Sequence, residues 1–498
     1  MNSNTISSIP PLSGEIFDSL PPLVCTYIRC LEKIISQQQT QIQQLQTRVS
    51  DLESKIAKNS SNSGKPPSSD GLKKPPKTKS QREKSGKKPG GQNGHLGRTL
   101  KQIKAPDYIE THSPRSCTSC GHSLDTVKGS SINKRQVFDI PEPKVEVTEH
   151  RIEGKICPCC GEVSKGLFPD NVTAPVQYGE RIQALSAYFE HQHFLPFDRL
   201  SQMFSDVFNI GISPGTCANI DRRLFEKLEP FEIHLKAHLI ASKVLHFDET
   251  GMRCEKKLHW VHTASSKLST FYTIHAKRGK EAMNEADILP RFRGIGIHDH
   301  WIPYFSYQQI THGLCNTHHL RELTFIHEQK KEEWARKMKD LLILAKDEVK
   351  KHLDNRALPY EVLLPIEQAY TTILSEGFEY HSLLPPLPRG KRGRQKQRDG
   401  KNLLDRLKGK RDCVLRFMYD FSVPFTNNQG EQDIRMIKLK QKISGCFRTS
   451  KGGQIFCRIR SYLSTARKQG WNIWESLVEA INGCPRLLIT HQDAIPQL

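Results

Sequence analysis

The sequence predicts a multidomain α/β protein, and three features point to this class. Its 498 residues exceed one ordinary domain, so roughly two to four domains are expected. A heptad pattern and then paired C-x-x-C motifs occupy the first third, and the later sequence alternates short apolar runs with helical patterns. Such alternation is typical of a sheet covered by helices.

The composition favours an anionic partner. Lys and Arg number 74 against 53 Asp and Glu, which gives a formal net charge of +21. This charge favours nucleic acid but leaves DNA, RNA and an anionic membrane surface open. We find no apolar run of about 18 residues and no secretory signal pattern. We therefore expect a cytoplasmic protein without a membrane span, whose 14 cysteines stay reduced and serve as metal ligands or core thiols.

Residues 24–57 carry apolar positions at alternating spacings of three and four. The seam consists of Ile28, Leu31, Ile35, Gln38, Ile42, Leu45, Val49, Leu52 and Ile56. β-Branched residues at one seam position and mainly Leu at the other predict a parallel two-stranded coiled coil, through which the chain would self-associate. An amphipathic helix packed on its own domain is the alternative.

Residues 58–104 are rich in Ser, Pro, Gly and Lys and bury too little apolar surface to fold alone. We predict a flexible basic linker in which lysines such as Lys87 and Lys88 contact DNA phosphates. A solvated tether without contacts remains the alternative.

A zinc ribbon is predicted over residues 105–170. Its four ligands would be Cys117, Cys120, Cys157 and Cys160. Four thiolates in two C-x-x-C turns suit one structural Zn²⁺ with no open position, and residues 135–156 between them alternate like paired strands. Cys159 is a competing ligand, and four free thiols are the alternative to a metal site.

Residues 178–235 read as helices, with two amphipathic runs separated by "NIGIS". Ser213 can cap the second run, and Pro214 suits its first turn. This pattern fits a DNA-binding helix-turn-helix, although a plain helical hairpin fits equally well.

Three acidic residues form the candidate catalytic site. An apolar strand delivers Asp248 and Glu249 to its end, and a later buried strand ends at Asp299. The order strand, strand, strand, helix, strand, helix, strand is that of a ribonuclease-H-like sheet. In that sheet the first and fourth strands are neighbours, so Asp248 and Asp299 would converge, and a packed helix would add Glu431.

Such a group suits phosphoryl transfer, because two Mg²⁺ ions about 3.5–4 Å apart stabilise the attacking and leaving oxygens. Hard divalent ions prefer carboxylate oxygens. Each aspartate could instead be a turn residue, and Glu431 could complete a capping box with Asn428.

A basic stripe follows Glu431. Arg435, Lys438 and Lys442 recur at spacings of four, three and four, which places them on one helix face with Glu431 and predicts phosphate contact. A surface salt bridge between Glu431 and Arg435 is the alternative.

These blocks resemble the bacterial DDE transposases of the insertion sequence 66 family, nearly from end to end. The similar blocks are "GGQNGHLG", the paired C-x-x-C turns, "HFDET", "HDHWIPY", "TNNQGEQDIRMIKLKQKISGCFRT" and "RIRSYLSTARKQGWNIWESL". The resemblance implies a ribonuclease-H-like catalytic domain over 240–470, with a helical insertion at about 320–420 and a tail over 471–498. It also implies that Asp248, Asp299 and Glu431 are the catalytic residues.

The implied activity is that of a polynucleotidyl transferase. It would cleave the 3′ ends of an insertion sequence with two Mg²⁺ ions and join the freed 3′-hydroxyl to target DNA. The implied partners are terminal-repeat DNA, target DNA and accessory transposition proteins, in the nucleoid of a bacterial cytoplasm. Cys315 and His318 match a Cys-x-x-His signature of that family, which we interpret as core-organising; the adjacent His319 makes the match ambiguous.

Two other functions remain open. A non-catalytic zinc-ribbon DNA-binding protein derived from a transposase would have the same composition. A nuclease that hydrolyses DNA without strand transfer would use the same carboxylates.

Overall fold

The computed structural model describes residues 17, 19–58, 99–131, 133–387 and 395–488. Most of the predicted basic linker, including Lys87 and Lys88, lies outside the described residues. The same holds for residues 388–394 of the predicted insertion and for residues 489–498 of the predicted tail. The predictions for these segments stay predictions.

Helix α1 (Pro22–Ala57) confirms that the heptad segment is helical along its length. It begins at a proline, whose fixed φ suits the first helical turn. Its seam faces solvent in the single chain, where the side chains of Ile42 and Leu45 are 54% and 60% exposed. The pairing of two such helices stays a prediction.

The cysteine-rich region contains one antiparallel pair, β1 (Gly154–Ile156) with β2 (Val163–Lys165). The prediction of paired strands over 135–156 is therefore wrong for all but its last residues, because 133–153 form no strand. The two strands pair across the short "CPCCG" turn, where little loop entropy is lost on closure. The alternating residues before them have no such local partner, and Val147 is 91% exposed.

Four helices follow this region. They are α2 (Glu180–His191), α3 (Phe197–Phe208), α4 (Pro214–Lys227) and α5 (Glu229–Ile240). Ser213 caps α4, since its Oγ accepts a hydrogen bond of 3.0 Å from the Thr216 N–H, and Pro214 occupies the first turn as predicted. Buried Leu200, Phe204 and other apolar residues hold α3 against α4. A role for this pair in DNA binding stays a prediction.

A five-stranded mixed sheet forms the centre of the second half. Its elements in chain order are β3 (Val244–Cys254), β4 (Lys257–Ser265), β5 (Thr270–His275), α6 (Lys280–Glu285), β6 (Ile295–His298) and β7 (Thr311–Leu314). The spatial order is β5-β4-β3-β6-β7, with β3 and β6 parallel neighbours as the sequence predicted. A single 3-10 turn, Ile302–Ser306, stands where a helix was expected between β6 and β7.

Eight helices of the described chain follow the sheet. They are α7 (Asn316–Lys330), α8 (Glu333–Lys351), α9 (Tyr360–Ser382), α10 (Asp399–Gly409), α11 (Arg411–Tyr419), α12 (Asn428–Ser444), α13 (Ser450–Lys468) and α14 (Ile473–Ile481). Helices α7 to α11 confirm the helical character of the predicted insertion and share a core that includes Trp334, Met338 and Tyr370. In the described part of the chain, none of the helices combines the length and apolarity needed to cross a membrane.

Helix α12 returns the chain to the sheet. Its Ile434 and Ile437 pack in one cluster with Val261 of β4 and Tyr272 of β5. Apolar burial is roughly proportional to the area removed from water, so this contact fixes the position of α12 on the sheet. The helix thereby brings its first turn to the strands that carry the predicted aspartates.

We expect a fragment covering α1 to self-associate, because most of its apolar seam is exposed among the residues that the structure describes. Its helix content, followed by circular dichroism, should rise with concentration, since association stabilises the folded form by mass action. Ile42→Asp should abolish this rise. Thr40→Asp, on the outer face of the same helix, is the matched control and should retain it. A fragment that sediments as a monomer at all concentrations would contradict the coiled coil.

Candidate active site

The parallel pairing of β3 with β6 places the two predicted aspartates side by side. The last paired residues are His246 and Ile297, and Asp248 and Asp299 each lie two residues further along. Side chains two apart on a strand share one face of the sheet. The prediction that Asp248 ends its strand is wrong, because β3 continues to Cys254 through pairing with β4; it is β6 that ends before Asp299.

The carboxylates interact electrostatically. Burial, and then the negative charge of the adjacent Glu249, raise the pKa of Asp248 to about 8, with further contributions from Asp299 and Glu431. Backbone N–H groups hold both aspartates, since Asp248 Oδ1 accepts from Glu249 N and Asp299 Oδ1 from Trp301 N, each at 2.9 Å. The structure thus brings the three predicted residues into one negatively charged region.

Helix α12 is tied to β3 by Asn427, which occupies its N-cap position. The Asn427 side chain does not cap the helix. Its Oδ1 lies 2.8 Å from His246 Nδ1, and its Nδ2 donates to the Phe247 carbonyl at 2.8 Å, directly before Asp248. Its backbone N–H also donates to Cys315 Sγ at 3.2 Å. Sequence reasoning missed Asn427, and the only signal for it was the Asn pair in "TNNQGE".

The capping-box interpretation of Glu431 is wrong. Asn428, its proposed partner, is the first helical residue and is exposed, and the helix start makes no side-chain cap. Gly430 lies against the Asn427 amide, where a Cβ would come within 3.1 Å of both side-chain polar atoms. The first turn is therefore shaped around Asn427, and this arrangement directs Glu431 towards Cys315.

Two other acids near the site are already paired. Glu249 accepts from Arg278 Nη2 at 2.6 Å and from the Tyr304 hydroxyl. Asp433 forms an ion pair of 2.8 Å with Lys468. Because Glu249 and Asp433 already pair with cationic side chains, they are poor substitutes for Glu431 as a third ligand.

Cys315 and His318 approach Glu431, so that one ligand atom of each residue lies within 4.8 Å of the others. The Cys315 Sγ is 3.9 Å from Glu431 Oε1. Burial alone would lower the pKa of His318, but hydrogen bonding and attraction to Cys315, then Glu431 and Asp299, outweigh it and raise the pKa to about 9. A charged His318 would offset part of the negative charge of the carboxylates.

The donor set suits Mg²⁺. All three predicted side chains supply hard carboxylate oxygens, which this ion prefers. Among the described residues these three do not form a group within 4.8 Å of one another. Two ions about 3.5–4 Å apart do not require such a group, because the outer carboxylates then contact different ions.

Two of the three basic residues on α12 already interact with other residues of the chain. Arg435 is exposed, and its Nη2 lies 3.8 Å from Glu431 Oε2, so the alternative salt bridge is present. Lys438 donates from Nζ to the Gly251 carbonyl at 2.9 Å and thereby fastens α12 to β3. Lys442 is exposed. Contact of these residues with DNA stays a prediction.

The two C-x-x-C motifs form turns with the same hydrogen bonds. The N–H of Gly121 donates to the Cys117 carbonyl at 2.9 Å, and Gly161 does the same to Cys157 at 2.9 Å. Both glycines have positive φ, 76° and 72°, a conformation that costs glycine little.

Backbone N–H groups also point at the first sulfur of each turn. They lower the pKa of Cys117 through Cys120 and Ser119, and that of Cys157 through Cys160 and Cys159. Cys159 therefore occupies the position of Ser119, which carries no thiol. Within the described residues the structure does not gather the two motifs into one group of ligand atoms within 4.8 Å.

Family models match three parts of the chain. Residues 175–455 match the "Transposase IS66 family", which is more than half of the chain. The chain belongs to the IS66 transposase family. Residues 114–161 match the zinc-finger binding domain of transposase IS66, and residues 23–101 match a family of unknown function, DUF6444. Membership supports a transposase function with DNA as partner, and the zinc-finger match supports zinc binding.

The comparison with curated proteins gives no match. Among solved structures, this IS66-family chain is similar to a chain of the cryoEM structure of simian T-cell lymphotropic virus intasome in complex with PP2A regulatory subunit B56 gamma. The identity is 13%, the match covers 43% of this chain and 80% of that chain, and the TM-score is 0.14. A TM-score this low supports no argument about fold or function.

We expect Asn427→Ala to destabilise the protein by about 1–3 kcal/mol, because it leaves His246 Nδ1 and the Phe247 carbonyl buried without their partner. Urea unfolding monitored by fluorescence measures the change. Asn428→Ala, at the exposed neighbouring position, is the control and should change stability by less than about 0.5 kcal/mol. Equal effects of the two substitutions would show that Asn427 does not anchor α12.

Asp248 should make the metal-free protein less stable as pH rises. Its pKa is about 8 in the folded chain against a reference of 3.8, so the unfolded state releases its proton first. Stability should therefore fall between about pH 4 and pH 8. Thermal unfolding in chelator should show this slope, and Asp248→Asn should flatten it. Exposed Asp206→Asn on α3 should retain the wild-type slope, and an unaltered slope in Asp248→Asn would refute the assignment.

Proposed function

We propose that this chain is a DDE-type DNA transposase with a ribonuclease-H-like core, in which Asp248, Asp299 and Glu431 are the catalytic residues. The observation that carries the proposal is the register of β3 and β6, which sets Asp248 beside Asp299 at the end of the parallel ladder. The Asn427 bonds that hold α12 against β3 support the role of Glu431.

The three carboxylates would hold two Mg²⁺ ions, which when bound stabilise the attacking and leaving oxygens of the transferred phosphoryl group. The chain contributes position and charge to the reaction. Asp248 and Asp299 are fixed by backbone N–H bonds, and Glu431 by the packing of α12. No side chain acts as a covalent nucleophile, so water cleaves the DNA strand and the freed 3′-hydroxyl then attacks target DNA.

The DNA partners of this proposal are the terminal repeats of the element and the target DNA. Arg435 and Lys442 on α12, together with Lys438, Lys87 and Lys88, are the proposed phosphate contacts. Self-association would pass through α1, and accessory transposition proteins would join the complex in the bacterial cytoplasm at the nucleoid.

The zinc ligands are proposed to be Cys117, Cys120, Cys157 and Cys160. The equal geometry of the two turns supports this set, because Cys159 takes the position that Ser119, which has no thiol, takes in the first turn.

We expect Cys160→Ser to lose one zinc per chain, because a structural site needs all four thiolates. Cys159→Ser, one residue away, is the matched control and should retain it. Metal content is measured by mass spectrometry after dialysis against a weak chelator. If Cys160→Ser kept its zinc and Cys159→Ser lost it, then Cys159 would be the zinc ligand and Cys160 would not.

We expect Glu431→Gln, Asp248→Asn and Asp299→Asn each to lower DNA cleavage and strand transfer by orders of magnitude, because each removes a charged ligand oxygen. The effects should not add when the substitutions are combined, since the three residues act as one unit. The assay uses element-end DNA, target DNA and Mg²⁺, and measures cleavage and joining separately. Glu281→Gln, an exposed acid on α6, is the control and should be as active as the wild type.

The same assay decides between the alternatives. Cleavage without joining would identify a nuclease, and DNA binding without either reaction would identify a non-catalytic DNA-binding protein. Normal strand transfer by Glu431→Gln would remove this residue from the catalytic group.

A further inference from the structure

A second group of ligand side chains lies away from the catalytic carboxylates, between α2 and α4. Glu190 and His191 end α2, and Asp221 lies within α4. The three residues are 7%, 2% and 4% exposed, and one ligand atom of each lies within 4.8 Å of the others. Acidic residues this deeply buried need a partner.

Four polar atoms of this group lack hydrogen bonds, although the carboxyl groups of Glu190 and Asp221 lie within hydrogen-bonding reach of each other. Glu190 Oε2, Asp221 Oδ1 and both ring nitrogens of His191 have no hydrogen-bond partner among the residues that the structure describes. More than nine in ten buried polar groups in proteins have one. Three of these atoms, Glu190 Oε2, Asp221 Oδ1 and one ring nitrogen of His191, can each offer a lone pair to a bound cation.

The spacing of these atoms suits a metal ion. His191 Nε2 lies 3.1 Å from Asp221 Oδ1 and 3.9 Å from Glu190 Oε2. The first contact lacks hydrogen-bond geometry, and the second is too long for a hydrogen bond. Tetrahedral zinc with bonds of about 2.0–2.1 Å has neighbouring ligands about 3.3 Å apart, which falls between the two distances.

Neighbouring cations do not replace such an ion. Arg460 donates to the His191 carbonyl and to Gln192 Oε1, and in the described chain neither it nor Lys440 forms an ion pair with Glu190 or Asp221.

We propose that Glu190, His191 and Asp221 bind one Zn²⁺ ion, with a water molecule as the fourth ligand. Imidazole nitrogen and carboxylate oxygen are both zinc ligands, with bonds of about 2.0–2.2 Å. The ion would clamp the end of α2 to the middle of α4 and so fix the helical segment that precedes the sheet. This site is separate from the cysteine turns and does not depend on the proposed catalytic function.

The zinc content of the full-length chain tests the proposal. Purified wild-type protein should hold about two zinc ions, one in the zinc finger and one between α2 and α4. A Cys117→Ser, Cys157→Ser double variant should hold about one. Adding Asp221→Asn, which keeps the side-chain shape but weakens the ligand, should reduce this to about zero. Adding exposed Asp206→Asn instead should leave it unchanged.

Two further measurements control for zinc bound at another site and for loss of the fold. Cys315→Ser alters the other described group of potential ligands and should leave the zinc content of the double variant unchanged. Circular dichroism should show that the Asp221→Asn variant retains its helices. A content of one zinc in the wild type, or none in the double variant, overturns the proposal even if the Asp221→Asn variant does not fold. Unchanged zinc after Asp221→Asn overturns it as well.

Discussion

The hydrogen bonds of Asn427 are the contact on which the candidate active site depends. Asp248, Asp299 and Glu431 are far apart in sequence, and helices α7 to α11 separate the last two. The Asn427 amide joins the start of α12 to the β3 backbone at Phe247, one residue before Asp248. Because this amide is buried, water cannot replace its bonds without exposing the core, and the arrangement of the carboxylates is fixed locally.

The charged side chains around this contact differ in the partners that they have. Glu249 lies next to Asp248, pairs with Arg278 and also accepts from the Tyr304 hydroxyl. His318 lies beside Glu431, with a pKa raised to about 9. Burial and the neighbouring carboxylates raise the pKa of Asp248 to about 8. A bound divalent cation would favour the charged form of this carboxylate, because opposite charge nearby stabilises it.

The sequence predicted what depends on local pattern. The order of strands and helices, read as that of a ribonuclease-H-like sheet, predicted the adjacency of β3 and β6, and Ser213 and Pro214 marked the start of α4. Sequence-based prediction failed where the structure depends on contacts between residues that are far apart in the chain. β3 extends past Asp248 because β4 pairs with it, and 133–153 form no strand because none of the described chain pairs with them. The cap was predicted at Asn428, whereas it is Asn427 that anchors the helix, through partners about 180 residues away.

The same limit explains why Glu190, His191 and Asp221 show no motif, since only the packing of α2 against α4 brings them together. Lys440, whose charge acts on this group, lies on α12 with Glu431. The two residues are nine positions apart, a rise of about 13.5 Å at about 1.5 Å per residue. Helix α12 therefore carries both the proposed catalytic glutamate and a charge that acts on the group between α2 and α4.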